Sequence, residues 1–233
     1  MTDDIAVIVP TWNEADNLDQ LLPLLIADAF AEIIVVDCGS DDGTDKTVSR
    51  YAPHVQLIQS NKGRGQQLAA GVTASTAPIL LFLHADTRLP PAASTVIRQT
   101  LDKPGTAAGC FRLSFDQPGK LLSVFAWLTR FESPFTTFGD QAFFMRRQTL
   151  NNAGGVPEIA LFEDVELRRR LRRQGRFQKV EPRVTTSARR FRKVGVMRTQ
   201  VQNAWFLAQY LCGREPSKLA TRYRTRPRSR FHT

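Results

Sequence analysis

Five groups of residues in this chain combine side-chain types and spacings that could do chemistry. His84-Ala85-Asp86 closes an apolar run and offers a carboxylate, a suitable ligand for a hard divalent cation. Oxygen ligands favour Mg2+ or Mn2+ over softer metals. Glu163-Asp164 opens a helical pattern, where a carboxylate could take a proton from a reacting hydroxyl. Acids also favour helix N-termini when they do not react, because the helix dipole attracts negative charge there. Asp37 ends a second apolar run and can accept hydrogen bonds from N–H groups or hydroxyls. Pro10-Thr11-Trp12-Asn13-Glu14 follows a third, and is also what a plain strand-to-helix turn looks like. Arg64 stands between Gly63 and Gly65 ahead of a helix. Glycines would let the backbone approach a ligand and the guanidinium could reach a phosphate, though an exposed turn reads the same way. The Gly-Lys-Ser/Thr ending of a Walker loop is absent. Asp41 and Asp42 suit a turn or helix cap, and Asp86 could cap a turn before Pro90-Pro91.

The elements that must position these groups are readable from periodicity. Ile5–Val9, Ile33–Val36, Val55–Ile58 and Ile79–Leu83 are short apolar runs rich in β-branched residues, the pattern of buried strands. Helical spacing follows each: Leu18 to Ile26 with Asp16 as its N-cap, Asp45 to Tyr51, Gln66 to Ala74, and Ala92 to Leu101. Strands apolar on both faces belong to a helix-covered, mainly parallel sheet, in which ligands bind outside the carboxyl ends of the strands. Three such ends carry Thr11–Glu14, Asp37–Thr44 and His84–Asp86, so polar groups converge on one rim. The second half is less regular. A strand is expected over Gly109–Phe115, a helix over Leu121–Phe131, a short strand over Ala142–Met145, a basic helix from Glu163 to Gln174 closed by Gly175, and an amphipathic helix from Val194 to Cys212. The Arg-rich tail from Thr221 is expected to be mobile.

Taken together, Pro10–Glu14, Val35–Thr44, Asn61-Lys62-Gly63-Arg64-Gly65, Phe82–Asp86 and Glu163-Asp164 resemble, in order and spacing over residues 5–175, the blocks of family 2 glycosyltransferases of the GT-A fold. A narrower resemblance, carried by His84–Pro90, Phe138-Gly139-Asp140-Gln141 and Ser187–Phe191, is to the subgroup labelled radical-SAM/selenodomain-associated or arsenosugar-biosynthesis transferases. The resemblance implies an α/β, GT-A-like fold: a mainly parallel Rossmann-like sheet covered by helices, with a C-terminal helical extension. It implies a transferase domain over 1–195, with a nucleotide-sugar half of about 1–103 and an acceptor half of about 104–195, followed by a helix and basic tail over 196–233.

The implied activity is metal-dependent, inverting transfer of a sugar from a nucleotide-diphosphate donor, UDP-sugar favoured, to a hydroxyl of an unknown acceptor. Pro10, Thr11, Glu14, Asp37, Arg64, His84 and Asp86 would line the donor site. Asp86 would hold the Mg2+ or Mn2+. His84 stands where the family pattern has Asp; it could join the metal shell, bond the ribose or a phosphate, or simply pack at the strand end. Cys38 likewise replaces a second Asp. Asp164, with Glu163 as the weaker candidate, would be the general base. Asp140 and Gln141 would line the acceptor side, and Arg189 and Arg190 would clamp a phosphate.

Composition narrows the alternatives. The net charge of +10 is concentrated in the C-terminal third: residues 164–198 hold 13 basic and 3 acidic side chains, and 199–233 hold 7 and 1. Such an excess could meet anionic lipid, a phosphorylated acceptor or nucleic acid. Nucleic acid is disfavoured because no RNA-binding signature accompanies the arginines. A non-catalytic membrane-surface protein and a nucleotidyltransferase remain alternatives, although the latter class typically places a Gly-rich loop where Pro10–Glu14 stands. The three cysteines show neither zinc nor disulfide spacing, and the first residues have no apolar run of signal length. These features point to a cytoplasmic location, peripheral to the membrane if the basic C-terminus contacts it.

Overall fold

The computed structural model describes residues 4–28, 30–189 and 195–225. Along the chain run β1 (Ile5–Thr11), α1 (Ala15–Ala27), β2 (Glu32–Asp37), α2 (Thr44–Ser49), β3 (Gln56–Gln59), α3 (Arg64–Ala74), β4 (Ile79–Phe82), β5 (Thr87–Arg88), α4 (Ala93–Leu101), β6 (Thr106–Phe115), α5 (Lys120–Leu128), β7 (Phe143–Arg146), α6 (Arg147–Asn152), α7 (Glu163–Arg172), β8 (Arg176–Thr186), α8 (Val196–Leu211) and α9 (Pro216–Thr225). The strands form one eight-stranded sheet in the order β3-β2-β1-β4-β7-β6-β8-β5. β3, β2, β1 and β4 are mutually parallel, and only β7 and β5 run against the rest.

Alternation explains the two-sided cover. Ile5, Val7 and Val9 of β1 face a core shared with Leu18, Leu21, Leu22 and Leu25 of α1 and with Ile97 and Leu101 of α4. Ala6 and Ile8 face a second core with Leu68 of α3 and Leu167 and Leu171 of α7. Each fully buried aliphatic side chain contributes roughly 1.5–3 kcal/mol over its exposed state. α3 lies close to the sheet because Gly71 has no side chain: a Cβ there would stand 2.3 Å from Cγ2 of Ile8. That approach brings the N-terminus of α3, with Arg64, to the strand-end rim.

The expected elements of the first half are present within one or two residues. Asp16, however, does not cap α1. The helix starts at Ala15, whose N–H is taken by Asp42 from the neighbouring loop. In the second half, β8 was not anticipated from the sequence. It carries Arg176, Lys179, Glu181, Pro182 and Arg183, which mask a strand pattern. A register shift between Phe111 and Arg112 lets β6 pass the Glu181-Pro182 pair, and a strand proline is tolerated at such an irregularity. The expected tail is also shortened, since α9 continues helix to Thr225; the tail beyond it lies outside the described residues.

Candidate functional site

The strand-end rim is built from two latched loops. Thr11 and Asp37 are paired across β1 and β2, so both strands end at one level, with Pro10 one register step behind. Gln67 of α3, buried, donates its amide to Thr11 O and Val36 O, both at 2.8 Å, and ties the helix to both strand ends. Asp37 is buried and accepts the N–H groups of Gly39 and Ser40, each at 3.0 Å, and the Ser40 hydroxyl. Its carboxylate therefore shapes its own loop. Asn13 takes a positive φ of 55° and exchanges hydrogen bonds with Asp41 in both directions. Asp42 accepts Ala15 N–H at 2.9 Å and Thr44 N–H at 3.0 Å, so one side chain serves the starts of α1 and α2. The cap role read for Asp41 and Asp42 is thus a cross-loop latch. At its edge the half-exposed Trp12 ring is covered by the Lys62 ammonium, 3.2 Å from the ring centre.

The middle of the rim carries His84 and Asp86. The two-residue strand β5 pairs with the end of β8, and Thr87 bonds Thr186 at 3.1 Å. That pairing folds the Ser187–Arg189 segment back over the rim, where Ser187 N–H meets Asp86 O. Arg189 then reaches both carboxylate oxygens of Glu14 at 3.3 Å. Burial and the charge of Glu14 raise the Asp86 pKa, against the pull of Arg189. The structure thus groups Glu14, Asp86 and Arg189, whereas Arg190 lies outside the described residues. His84 Nε2 is buried without a hydrogen-bond partner. Burial, reinforced by the Arg64 charge, holds its imidazole well below the ordinary histidine pKa, so it is neutral near pH 7.

The far side is a cleft lined by Arg64, Leu68, Phe82, Gly139, Phe143, Val156, Glu163, Asp164 and Leu167. Arg64 pairs with Glu163 at 3.3 Å. Its guanidinium lies against Gly139, where a Cβ would stand 2.3 Å from the nearest nitrogen, so no larger residue fits without moving it. Asp164 receives Gly139 N–H at 2.8 Å on one oxygen and Val165 N–H at 2.8 Å on the other. Burial and the neighbouring Asp164 raise Glu163, while Arg64 opposes them. Asp140 is pushed up to about 6 by burial and by the charges of Asp164 and Asp86, with Arg64 and Lys179 pulling down. One of its oxygens, Oδ1, is buried and unpartnered. Asp164, Asp86 and Arg64 thus all act electrostatically on Asp140, which links the strand-end rim to the cleft.

Gln141 is placed differently from Asp140. It is fully buried, and its amide is committed to Thr136 O, Lys179 and Cys110. Gln67, Gly139 and Lys179 also support the candidate site, and none of them stands out in the sequence as a chemical group would. Gly139 stood within a quoted motif; Gln67 and Lys179 offered no spacing signal. Among the described residues, no three His, Cys, Asp or Glu side chains form a ready-made metal cage. A hard cation held by one or two carboxylates completes its shell with substrate phosphates instead. The raised Asp86 carboxylate and the orphaned His84 nitrogen fit that kind of site.

Comparison with known proteins agrees with the architecture. Residues 6–162 match the family described as Glycosyl transferase family 2. Glycosyltransferase AglJ of Haloferax volcanii is 33% identical over 85 residues, 36% of this chain and 28% of that protein. The undecaprenyl-phosphate 4-deoxy-4-formamido-L-arabinose transferase of Proteus mirabilis is 33% identical over 98 residues, 37% of this chain and 30% of that protein. The matches thus span less than a third of either relative. Among solved structures, S. aureus TarS 1–349 superposes with a TM-score of 0.65 at 19% identity, covering 79% of this chain and 60% of that one. The mannosyltransferase PcManGT from Pyrobaculum calidifontis, in complex with GDP-Man and Mn2+, gives 0.63 at 23% identity, covering 92% and 66%. The sheet is the GT-A sheet, and the chain belongs to glycosyl transferase family 2.

Proposed function

We propose that this protein transfers a glycosyl group from a nucleoside-diphosphate sugar to an acceptor hydroxyl, with inversion at the anomeric carbon. The observation that carries the reading is the convergence of three strand ends on one rim, faced by the Asp140, Glu163 and Asp164 carboxylates across Arg64. Thr11, Asp37 and the latched loops would frame the nucleoside. Asp86, with His84 beside it, would hold Mg2+ or Mn2+, and the cation would neutralise the departing diphosphate. Asp164, its carboxylate fixed by the Gly139 and Val165 amides, would take the acceptor proton as that oxygen attacks. The C1–O bond to the diphosphate breaks on the opposite side, which inverts the centre. Arg189 could swing from Glu14 to a phosphate.

UDP is the favoured nucleotide, in keeping with the UDP and UDP-GlcNAc complexes of TarS, while the PcManGT structure is a complex with GDP-Man and Mn2+. The narrower subgroup assignment rests on the His84–Pro90, Phe138–Gln141 and Ser187–Phe191 motifs alone. Calorimetric titration with UDP- and GDP-sugars, with and without MnCl2, tests the reading. Metal-dependent binding of one donor class is expected; no binding of any donor at millimolar concentration refutes it.

A second element of the proposal is a cytoplasmic protein with peripheral contact to an anionic membrane. The favouring observation is on α8, where Met197, Val201 and Trp205 form an exposed apolar stripe at four-residue spacing, ahead of the basic C-terminus. No helix among the described residues is long and apolar enough to cross a membrane.

A further inference from the structure

We propose that Lys179 is a positioning residue that holds the Thr136–Gln141 turn, and through it the acids on the acceptor side, in their working arrangement. The inference rests on the glycosyl-transfer reading above. Lys179 lies on β8 opposite Cys110 of β6, beneath the turn that precedes β7. Its ammonium donates to Thr136 O at 2.8 Å and to Gln141 Oε1 at 2.5 Å. The Gln141 amide closes the triangle by donating to Thr136 O at 2.8 Å. Both ends of the turn are thereby fixed to one partly buried cation. Upstream, Glu132 is anchored to α7 by Arg168 and Arg172.

What the turn presents is the chemistry of the cleft. Gly139 N–H holds Asp164, Gly139 Cα supports the Arg64 guanidinium, and Asp140 follows. The Lys179 ammonium is spent on the turn, and the acids whose charges act on it are Asp140 and Glu132. Burial, with a smaller push from the Arg168 charge, pulls its pKa down to about 8, opposed by Cys110, Asp140 and Glu132, so it is still mainly charged at pH 7. A partly buried ammonium bonded to two oxygens is a fixture of the turn, since losing it strands both acceptors and leaves Asp140 less compensated. Its removal should therefore disturb the turnover step first, with a smaller effect on donor capture at Thr11, Asp37 and Asp86, which lie outside the turn.

The test compares wild type with Lys179→Met and Lys179→Arg in two assays. Hydrogen–deuterium exchange, read without substrate, follows the amides of residues 133–141. Lys179→Met should speed exchange there with the rest of the sheet unchanged, and Lys179→Arg should restore much of the protection. Nucleotide release from UDP-GlcNAc and GDP-Man with MnCl2 follows function. Lys179→Met should lower kcat roughly 10- to 100-fold, keep the donor KM within about twofold, and shift the acid limb of the kcat profile to higher pH. Should Lys179→Met fail to fold, Lys179→Gln carries the same expectations. Wild-type exchange at 133–141, or a loss expressed in donor KM alone, overturns the inference. A wild type that consumes no donor instead overturns the glycosyl-transfer reading, and the exchange result separates the two failures.

Discussion

At the residue scale, the site concentrates carboxylates that are costly to keep charged. Asp140 is the clearest case, because its pKa of about 6 lies above the 3.8 of a free aspartate. Between those two values the folded protein binds more protons than the unfolded chain, so stability falls as pH rises through about 4 to 6. Asp140→Asn should remove this slope and raise stability at pH 7.5 by on the order of 1–3 kcal/mol. Calorimetric melts from pH 4 to 8 would show it; an unchanged slope contradicts the placement of Asp140. Gly139→Ala acts through shape, since the new methyl meets the Arg64 guanidinium. It should reduce donor turnover by more than about tenfold with a small change in melting temperature, measured by nucleotide release beside a thermal melt.

Elements supply the precision that these residues need. Asp42 bonds the starts of both α1 and α2, so Asp42→Ala should destabilise the fold by about 1–2 kcal/mol in urea melts. A change within error would mean that the latch is redundant. Glu166 on α7 binds Arg169 and Arg170 and receives the Tyr210 hydroxyl of α8. Arg169 above all, against the effect of burial, holds Glu166 down at about 2. Its contribution is complete above the unfolded value of 4.5 and is lost as pH falls toward 2. Glu166→Gln should thus lower stability at pH 7 by on the order of 1–3 kcal/mol and make little difference near pH 2. The elements also show what a sequence can reveal. β1, β2 and β4 are buried on both faces, so their apolar runs announce them, and their last residues name the rim. β8 is a charged strand with a proline, and its pairing depends on β6, some seventy residues earlier. Lys179 was hidden with it. Asp86, Glu163 and Asp164 were legible as candidates because charged groups at the ends of apolar or helical runs stand out in a sequence. Gln67 was not, because a buried glutamine in a helix has no pattern until the strand ends beside it are known.

For the whole molecule, residues 1–110 hold 7 basic and 13 acidic side chains, and the basic last third adds one strand, β8, to the sheet. The C-terminal helices dock through Phe206, Leu207 and Leu219, which are buried, while Met197, Val201 and Trp205 stay exposed. Of the aromatics on this helix, Phe206 and Tyr210 are used internally, and Trp205 is left for an outside surface. Sedimentation with anionic vesicles at low salt should therefore depend on Trp205 and Val201. Binding that survives Trp205→Ser/Val201→Ser unchanged would rule this face out.

In the proposed reaction one rim binds a nucleotide sugar while Asp164 removes the acceptor proton. The most direct measurement is steady-state transfer or donor hydrolysis, with MnCl2, by wild type, Asp86→Ala and Asp164→Asn. The account predicts a folded Asp164→Asn enzyme whose kcat falls by about 10²-fold or more at little changed donor KM, and an Asp86→Ala enzyme that no longer responds to metal. Full activity in both variants would contradict it.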